Sequence, residues 1–218
     1  MTVAAKICGV KDRAALDAAV AGGAAYVGFV FYPRSPRNVT PPEAGALAAA
    51  LPGHVTAVAL AVDPDDALVD AILGGAPDIR MFQLHGAETP ERVSELRART
   101  GKKAMKAIKV SEAADLDAAR PYLSAADMLL FDAKPPADMK NALPGGNAVS
   151  FDWTILSGRG WPLPWMLSGG LDPDNVTEAI RVSGAPAVDV SSGVESAPGV
   201  KDPARIAAFL KAVAAAGG

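Results

Sequence analysis

The sequence predicts a (β/α)8 TIM barrel built as a single domain over residues 1–218. Three observations carry that expectation. Eight short β-rich runs alternate with Ala-, Leu- and Asp/Glu-rich stretches of helical spacing. The repeat averages about 27 residues, compact but sufficient for a barrel unit. The two long connections both follow strands, on the face where barrels build their sites. An open, doubly wound sheet fits the same alternation. Against it, the first strand is not followed by a Gly-x-Gly-x-x-Gly turn.

In chain order the strand candidates are Ala5 to Val10, Tyr26 to Phe31, Val55 to Val62, Ile79 to Leu84, Met105 to Val110, Met128 to Phe131, Trp165 to Leu167 and Ala187 to Val190. Between them, pairs such as Leu16 with Val20 and Leu68 with Ile72 recur at helical spacing. Thr40-Pro41, Asp63-Pro64, Thr89-Pro90, Asp172-Pro173 and Asp202-Pro203 each place a capping oxygen before a proline suited to the first helical position. Gly22-Gly23 and Gly74-Gly75 stand where helix ends need a left-handed residue. The long connections are Tyr32 to Val39 and Ala133 to Ser150; the second, rich in Pro and Gly, reads as a lid or as a plain surface excursion.

Composition narrows the function classes. Half the residues are hydrophobic and 21% are charged, as in soluble globular proteins. Lys and Arg total 21 against 24 Asp and Glu, a net charge of −3 that leaves no footprint for non-specific nucleic-acid binding. One cysteine makes neither an internal disulfide nor a cysteine metal cluster, so a reducing cytoplasm is expected. No signal-peptide pattern and no membrane-length apolar run is visible. With two histidines, His54 and His85, a histidine-based metal site has little support and no metal is expected.

The chemistry-bearing residues gather at predicted strand ends. Gly169 and Gly170 follow strand seven, and Ser192 and Gly193 follow strand eight; small residues there expose backbone N–H groups that suit a phosphate dianion. Asp132 shares a strand face with Met128 and Leu130. A carboxyl at the mouth of an apolar strand is expected to have a raised pKa and serve as a general acid, unless it caps a helix or pairs with Lys134. Gln83 and His85 share a face at the end of strand four, where His85 fits a hydrogen-bonded wall residue. Arg34 and Arg37 lie in the loop after strand two, where a guanidinium can clamp a carboxylate or be solvated. Asp189 on strand eight is either an inward carboxylate or a core partner for a lysine. Cys8 shares a parity with Lys6 at the end of strand one. A lone thiol is ordinarily a small buried hydrophobe, but without a triad partner this one fits a base better than a nucleophile.

Taken together, "KICGV", "GFVFYPRSPRNV", "QLHG", "LLFDAK", "GGNAVSFDW", "MLSGGL" and "VDVSSGVE" resemble the phosphoribosylanthranilate isomerase family in order and spacing, from Lys6 to about Phe209. The resemblance implies an Amadori rearrangement of a small phosphorylated substrate in tryptophan biosynthesis, without cofactor, by a monomer or homodimer. It makes Cys8 the general base and Asp132 the general acid. Arg37 would hold the anthranilate carboxylate, Gln83, His85 and Asp189 would contact substrate, and Gly169, Gly170, Ser192 and Gly193 would bracket the phosphate. Gly9 would give the substrate room beside Cys8. The chemistry requires a neutral Asp132 with an ionised Cys8, so the site must draw their pKa values together or use a minority form. In the sixth loop, where many relatives show a further glycine, this chain has Asn147-Ala148-Val149-Ser150. Two kinds of alternative stand beside this reading. One is a related phosphate-sugar barrel: the histidine-pathway isomerase, which has aspartate at the Cys8 position, or indole-glycerol-phosphate synthase, which expects catalytic lysines on inner strands that these motifs do not supply. The other is a non-catalytic phosphate-binding barrel.

Overall fold

Period-2 apolar runs and legible caps produce eight strands that close on themselves. The computed structural model describes residues 2–136, 139 and 143–217. The strands are β1 (Ala4–Cys8), β2 (Tyr26–Phe31), β3 (Thr56–Ala61), β4 (Met81–Leu84), β5 (Lys103–Val110), β6 (Met128–Ala133), β7 (Trp165–Leu167) and β8 (Ala187–Val190). They pair in that order as a closed barrel, and parallel β1–β8 pairing sets Lys6 opposite Asp189. That closure decides against the open sheet. Helices α1 (Arg13–Ala21), α2 (Pro41–Ala48), α3 (Asp66–Gly75), α4 (Pro90–Thr100), α5 (Val176–Ser183) and α6 (Pro203–Ala216) surround it. No helix among the described residues is long and apolar enough to cross a membrane.

Thr40, Thr89 and Asp202 cap α2, α4 and α6 as expected, each followed by proline. Two expected caps fail. Asp63 is left-handed (φ 46°) and accepts from the Ala87 N–H, so it ties neighbouring loops together, and Asp65 caps α3 instead. Asp172 accepts from the N–H groups of Asp174 and Asn175, closing a turn that delays α5 to Val176. Gly74 and Gly75 do not form a left-handed cap either. Gly75 lies against α2, where a β-carbon would come within 2.6 Å of Pro41 Cβ, so it serves helix packing.

Two connections are not α-helical. After β5 the segment Ala113–Tyr122 is a 3-10 helix containing Pro121, and after β6 only Trp153–Leu156 turns. The eighth connection carries an unexpected hairpin, β9 (Glu195–Ala197) and β10 (Val200–Lys201).

Side-chain alternation divides the interior into two cores. Outward strand residues such as Ile7, Phe29, Phe82 and Phe131 pack on helix residues including Leu16, Ile72 and Leu96. Inward residues Val58, Met81, Met105, Met128, Leu130 and Met166 fill the lumen. One layer above this plug the inward positions turn polar, and there the barrel opens.

Candidate active site

One pocket occupies the mouth of the barrel at the C-terminal ends of the strands. Cys8, Arg37, His85, Asp132, Ser168, Gly169, Gly170, Asp189 and Ser192 line it, with Leu143 to Val149 of the sixth loop. Alternation along β1, β6 and β8 aims Cys8, Asp132 and Asp189 at this space. Arg34 and Lys134 do not line it; Lys134 pairs with Asp115 at 3.4 Å.

Asp132 is buried and Oδ2 accepts two hydrogen bonds, from Lys109 Nζ at 2.7 Å and from His85 Nε2 at 3.1 Å. Burial pushes its carboxyl up, but His85 and Lys109 outweigh that and hold it down at about 2. The expected raised pKa is therefore corrected: two donors aimed at one oxygen favour the carboxylate. His85 itself is pushed below the ordinary histidine range by burial and by Lys109. A neutral ring has one N–H. Gln83 Nε2 donates to Nδ1 at 3.1 Å, which places the ring proton on Nε2, facing Asp132. Gln83, expected as a substrate contact, lies fully buried beneath His85 and off the pocket wall; its Oε1 has no hydrogen-bond partner among the described residues.

Cys8 sits across the mouth. Burial raises its thiol above the ordinary range, against the lowering pull of the Lys6 ammonium. Lys6 is wholly buried and donates to Asp189 Oδ1 at 2.9 Å, and Ser168 Oγ donates to Asp189 Oδ2 at 3.2 Å. Burial lowers the Lys6 pKa, but Asp189 and Cys8 more than offset it, so the ammonium persists. The fold thus moves Cys8 and Asp132 apart in pKa rather than together. The pair rests as thiol and carboxylate, and the ionised-thiol form is the minority one.

Arg37 is buried and bidentate: Nε and Nη2 donate to Glu195 Oε1 and Oε2 at 2.7 and 2.9 Å. Glu195 also accepts from Lys201 Nζ at 2.7 Å, and Lys201 donates to the Ser191 carbonyl. Burial pushes the Glu195 carboxyl up, but Arg37 and Lys201 hold it below the ordinary range. Burial draws Lys201 below the ordinary lysine range against the pull of Glu195; with both cations protonated the cluster carries one positive charge. Gly9 makes room for Arg37 rather than for a ligand, since a β-carbon there would lie 2.7 Å from Arg37 Cδ.

Gly169 and Gly170 have φ of 93° and 65°, and a β-carbon on Gly169 would meet Ala133 Cβ at 2.7 Å. Both the turn and the close approach exclude a side chain. Among the described residues none accepts from the backbone N–H of Gly169, Gly170, Ser192 or Gly193. Gly193 packs on Leu171 behind the wall rather than lining it.

Part of the expected lid, Ala133 to Ser150, lies outside the described residues; 143–150 folds over the mouth. A β-carbon on Gly145 would lie 3.0 Å from His85 Nε2, and Lys109 also donates to the Pro144 carbonyl. Ala148 holds a left-handed φ of 55°, a conformation in which glycine would be free of strain.

Lys6, Lys109, Glu195 and Lys201 escaped the sequence reading of the site. Parity with Cys8 on β1 and with Met105 on β5 marks the first two as inward. Inner strands therefore carry two lysines, Lys6 and Lys109, each tied to a carboxylate. Nothing in the sequence pairs Glu195 with Arg37, which are 158 residues apart.

Comparison with known proteins follows the same outline. Residues 5–212 match the family model described as N-(5'phosphoribosyl)anthranilate (PRA) isomerase. The chain is 61% identical over 212 residues to N-(5'-phosphoribosyl)anthranilate isomerase of Paramagnetospirillum magneticum, covering 97% of each chain. It superposes on the crystal structure of phosphoribosyl anthranilate isomerase from Thermotoga maritima with a TM-score of 0.86 at 35% identity, covering 97% of this chain and 98% of that one. A crystal structure of phosphoribosyl anthranilate isomerase in complex with reduced 1-(o-carboxyphenylamino)-1-deoxyribulose 5-phosphate gives a TM-score of 0.81 at 33% identity, covering 97% of this chain and 98% of that one.

Proposed function

The chain belongs to the N-(5'-phosphoribosyl)anthranilate isomerase family, and from that premise we propose which of its groups perform the reaction. The activity is an aldose–ketose isomerisation in tryptophan biosynthesis, the Amadori rearrangement of N-(5'-phosphoribosyl)anthranilate to 1-(2-carboxyphenylamino)-1-deoxyribulose 5-phosphate. Asp132 is the general acid and Cys8 the general base. One observation supports this assignment: a carboxyl, Asp132, and the chain's one thiol, Cys8, line the same pocket at the barrel mouth.

Asp132 gives its proton to the furanose ring oxygen as the bond from that oxygen to C1 of the sugar breaks, leaving an iminium on the anthranilate nitrogen. Cys8 thiolate takes the now acidic proton from C2. The enolamine tautomerises, moving the hydroxyl proton at C2 to C1 and leaving the ketone. The iminium supplies the acidity, so the scheme needs neither metal nor cofactor. Turnover ends with Cys8 as thiol and Asp132 as carboxylate, the form that their surroundings favour. A new cycle starts when the proton returns from thiol to carboxylate through solvent, and His85 and Lys109 set how strongly that return is opposed.

The net positive charge of the Arg37–Glu195–Lys201 cluster supports Arg37 as the carboxylate anchor, with Glu195 fixing the plane of the guanidinium. Asp189 faces the substrate amine. Open N–H groups at Gly169, Gly170 and Ser192 suit the phosphate, with Gly193 packed behind them. Gln83 acts through His85, by fixing its tautomer. The chain works in the cytoplasm as a monomer or homodimer, where its one buried thiol stays reduced.

The test follows anthranilate fluorescence as substrate is consumed. Cys8→Ala and Asp132→Asn each cut kcat at least about a hundredfold while the circular dichroism spectrum is kept. Near-normal turnover in either variant overturns its assignment.

A further inference from the structure

Lys6 is buried directly beneath Cys8, off the pocket wall, and no step of the reaction uses it. An ammonium in a barrel lumen is costly unless something holds its charge, and Asp189 does so at 2.9 Å. The pair alone would satisfy a purely structural role. What exceeds that role is the way the neighbouring strand makes space. β2 presents Gly28 opposite Cys8, and a β-carbon on Gly28 would lie 3.0 Å from both Cys8 Sγ and Lys6 Nζ. Ammonium and sulfur therefore converge over one residue that has no side chain.

We propose that Lys6 is a positioning residue for the isomerisation: its ammonium, fixed by Asp189 and admitted by Gly28, is the cation against which the Cys8 thiolate forms. The proposal rests on Cys8 as the base. The other charges facing Cys8 are Asp189 from β8, which disfavours the thiolate, and Lys201 from β10, which favours it; β2 offers none opposite Cys8, and Asp132 and Arg37 line the rest of the pocket. Of the two cations, Lys6 exerts the larger pull. Burial drives Cys8 toward the neutral thiol, and Lys6 is the group placed to oppose it.

The experiment titrates the thiol itself. Cys8 is the chain's only cysteine, so the rate of alkylation by iodoacetamide against pH, read by mass, reports one site. Lys6→Met moves the alkylation midpoint up by about one to three pH units, because an opposite charge beside the thiolate is lost. Asp189→Asn moves it down, because the same ammonium then acts without its counter-charge. These opposite signs separate an electrostatic role from a packing role. Since Lys6→Met leaves Asp189 buried and unpaired, Lys6→Met/Asp189→Asn is compared with Asp189→Asn alone, and its midpoint is expected to be the higher. A midpoint unchanged by loss of Lys6 in both backgrounds overturns the proposal, as does an upward shift in Asp189→Asn. In the isomerase assay Lys6→Met lowers kcat by about tenfold or more, while KM changes little. Full turnover in Cys8→Ala would instead remove the base assignment, and the titration would still decide whether Lys6 controls the thiol.

Discussion

Replacing Lys109 with methionine separates two ways in which the barrel mouth could supply an acid. Lys109 Nζ lies 2.7 Å from Asp132 Oδ2, and the carboxylate is buried. Three influences set its pKa near 2: burial acting upward, with His85 and Lys109 acting downward. An opposite charge at hydrogen-bond distance is worth about one to three pKa units. Lys109→Met therefore brings Asp132 to between about 3 and 5, and its neutral fraction at pH 7 rises by about ten- to a thousandfold. The carboxyl 13C shift of Asp132, followed by NMR from pH 2 to 7, gives the midpoint directly. If neutral Asp132 donates the proton, kcat in Lys109→Met holds or rises, because the reactive form is more populated. An unmoved midpoint refutes the electrostatic account of Asp132. A moved midpoint with kcat down more than about a hundredfold refutes Asp132 as donor and points to the ammonium of Lys109.

Glu195→Gln frees the Arg37 guanidinium from its bidentate partner, and loss of a charged hydrogen-bonded pair predicts KM higher by about ten- to a hundredfold with a smaller change in kcat; an unchanged KM contradicts the clamp. Gln83→Leu removes the donor that fixes the His85 tautomer, so kcat falls about tenfold at constant KM; full activity shows that the tautomer is set elsewhere. The depressed Asp132 pKa, about 2 against an ordinary 3.8, contributes roughly 2 kcal/mol of stability. The sign is that of a lowered carboxyl: the contribution is full above pH 3.8 and vanishes as pH falls through about 2. Urea unfolding of wild type and Asp132→Asn should converge across that window, and parallel curves would show that Asp132 adds nothing there.

The strands were legible because alternation and β-branched runs report burial locally. Thr40, Thr89 and Asp202 were legible because a cap with proline is a local device. Asp63 and Asp172 misled because an aspartate before proline can equally close a loop, and the choice depends on partners such as Ala87 that sequence does not bring near. Gly75 misled because helix packing, not backbone φ, requires it. At the site, Cys8, Arg37 and Asp132 were found through motif and strand parity. Protonation was misread at Asp132, since an apolar run gives no hint that Lys109 and His85 converge on its oxygen. The hairpin carrying Glu195 was missed because two short strands with no alternation leave no periodic signal.

The seam where β8 meets β1 has a kinetic consequence. Lys6 meets Asp189, and Ser191 meets the Cys8 carbonyl, across 183 residues of chain. Contacts of that span form late, because the loop entropy of the whole chain opposes them. Helices α1 to α4 and their strands can order before the ends join, but the environment of the thiol cannot. During refolding, return of turnover therefore reports the final ring closure, and it lags the helical signal.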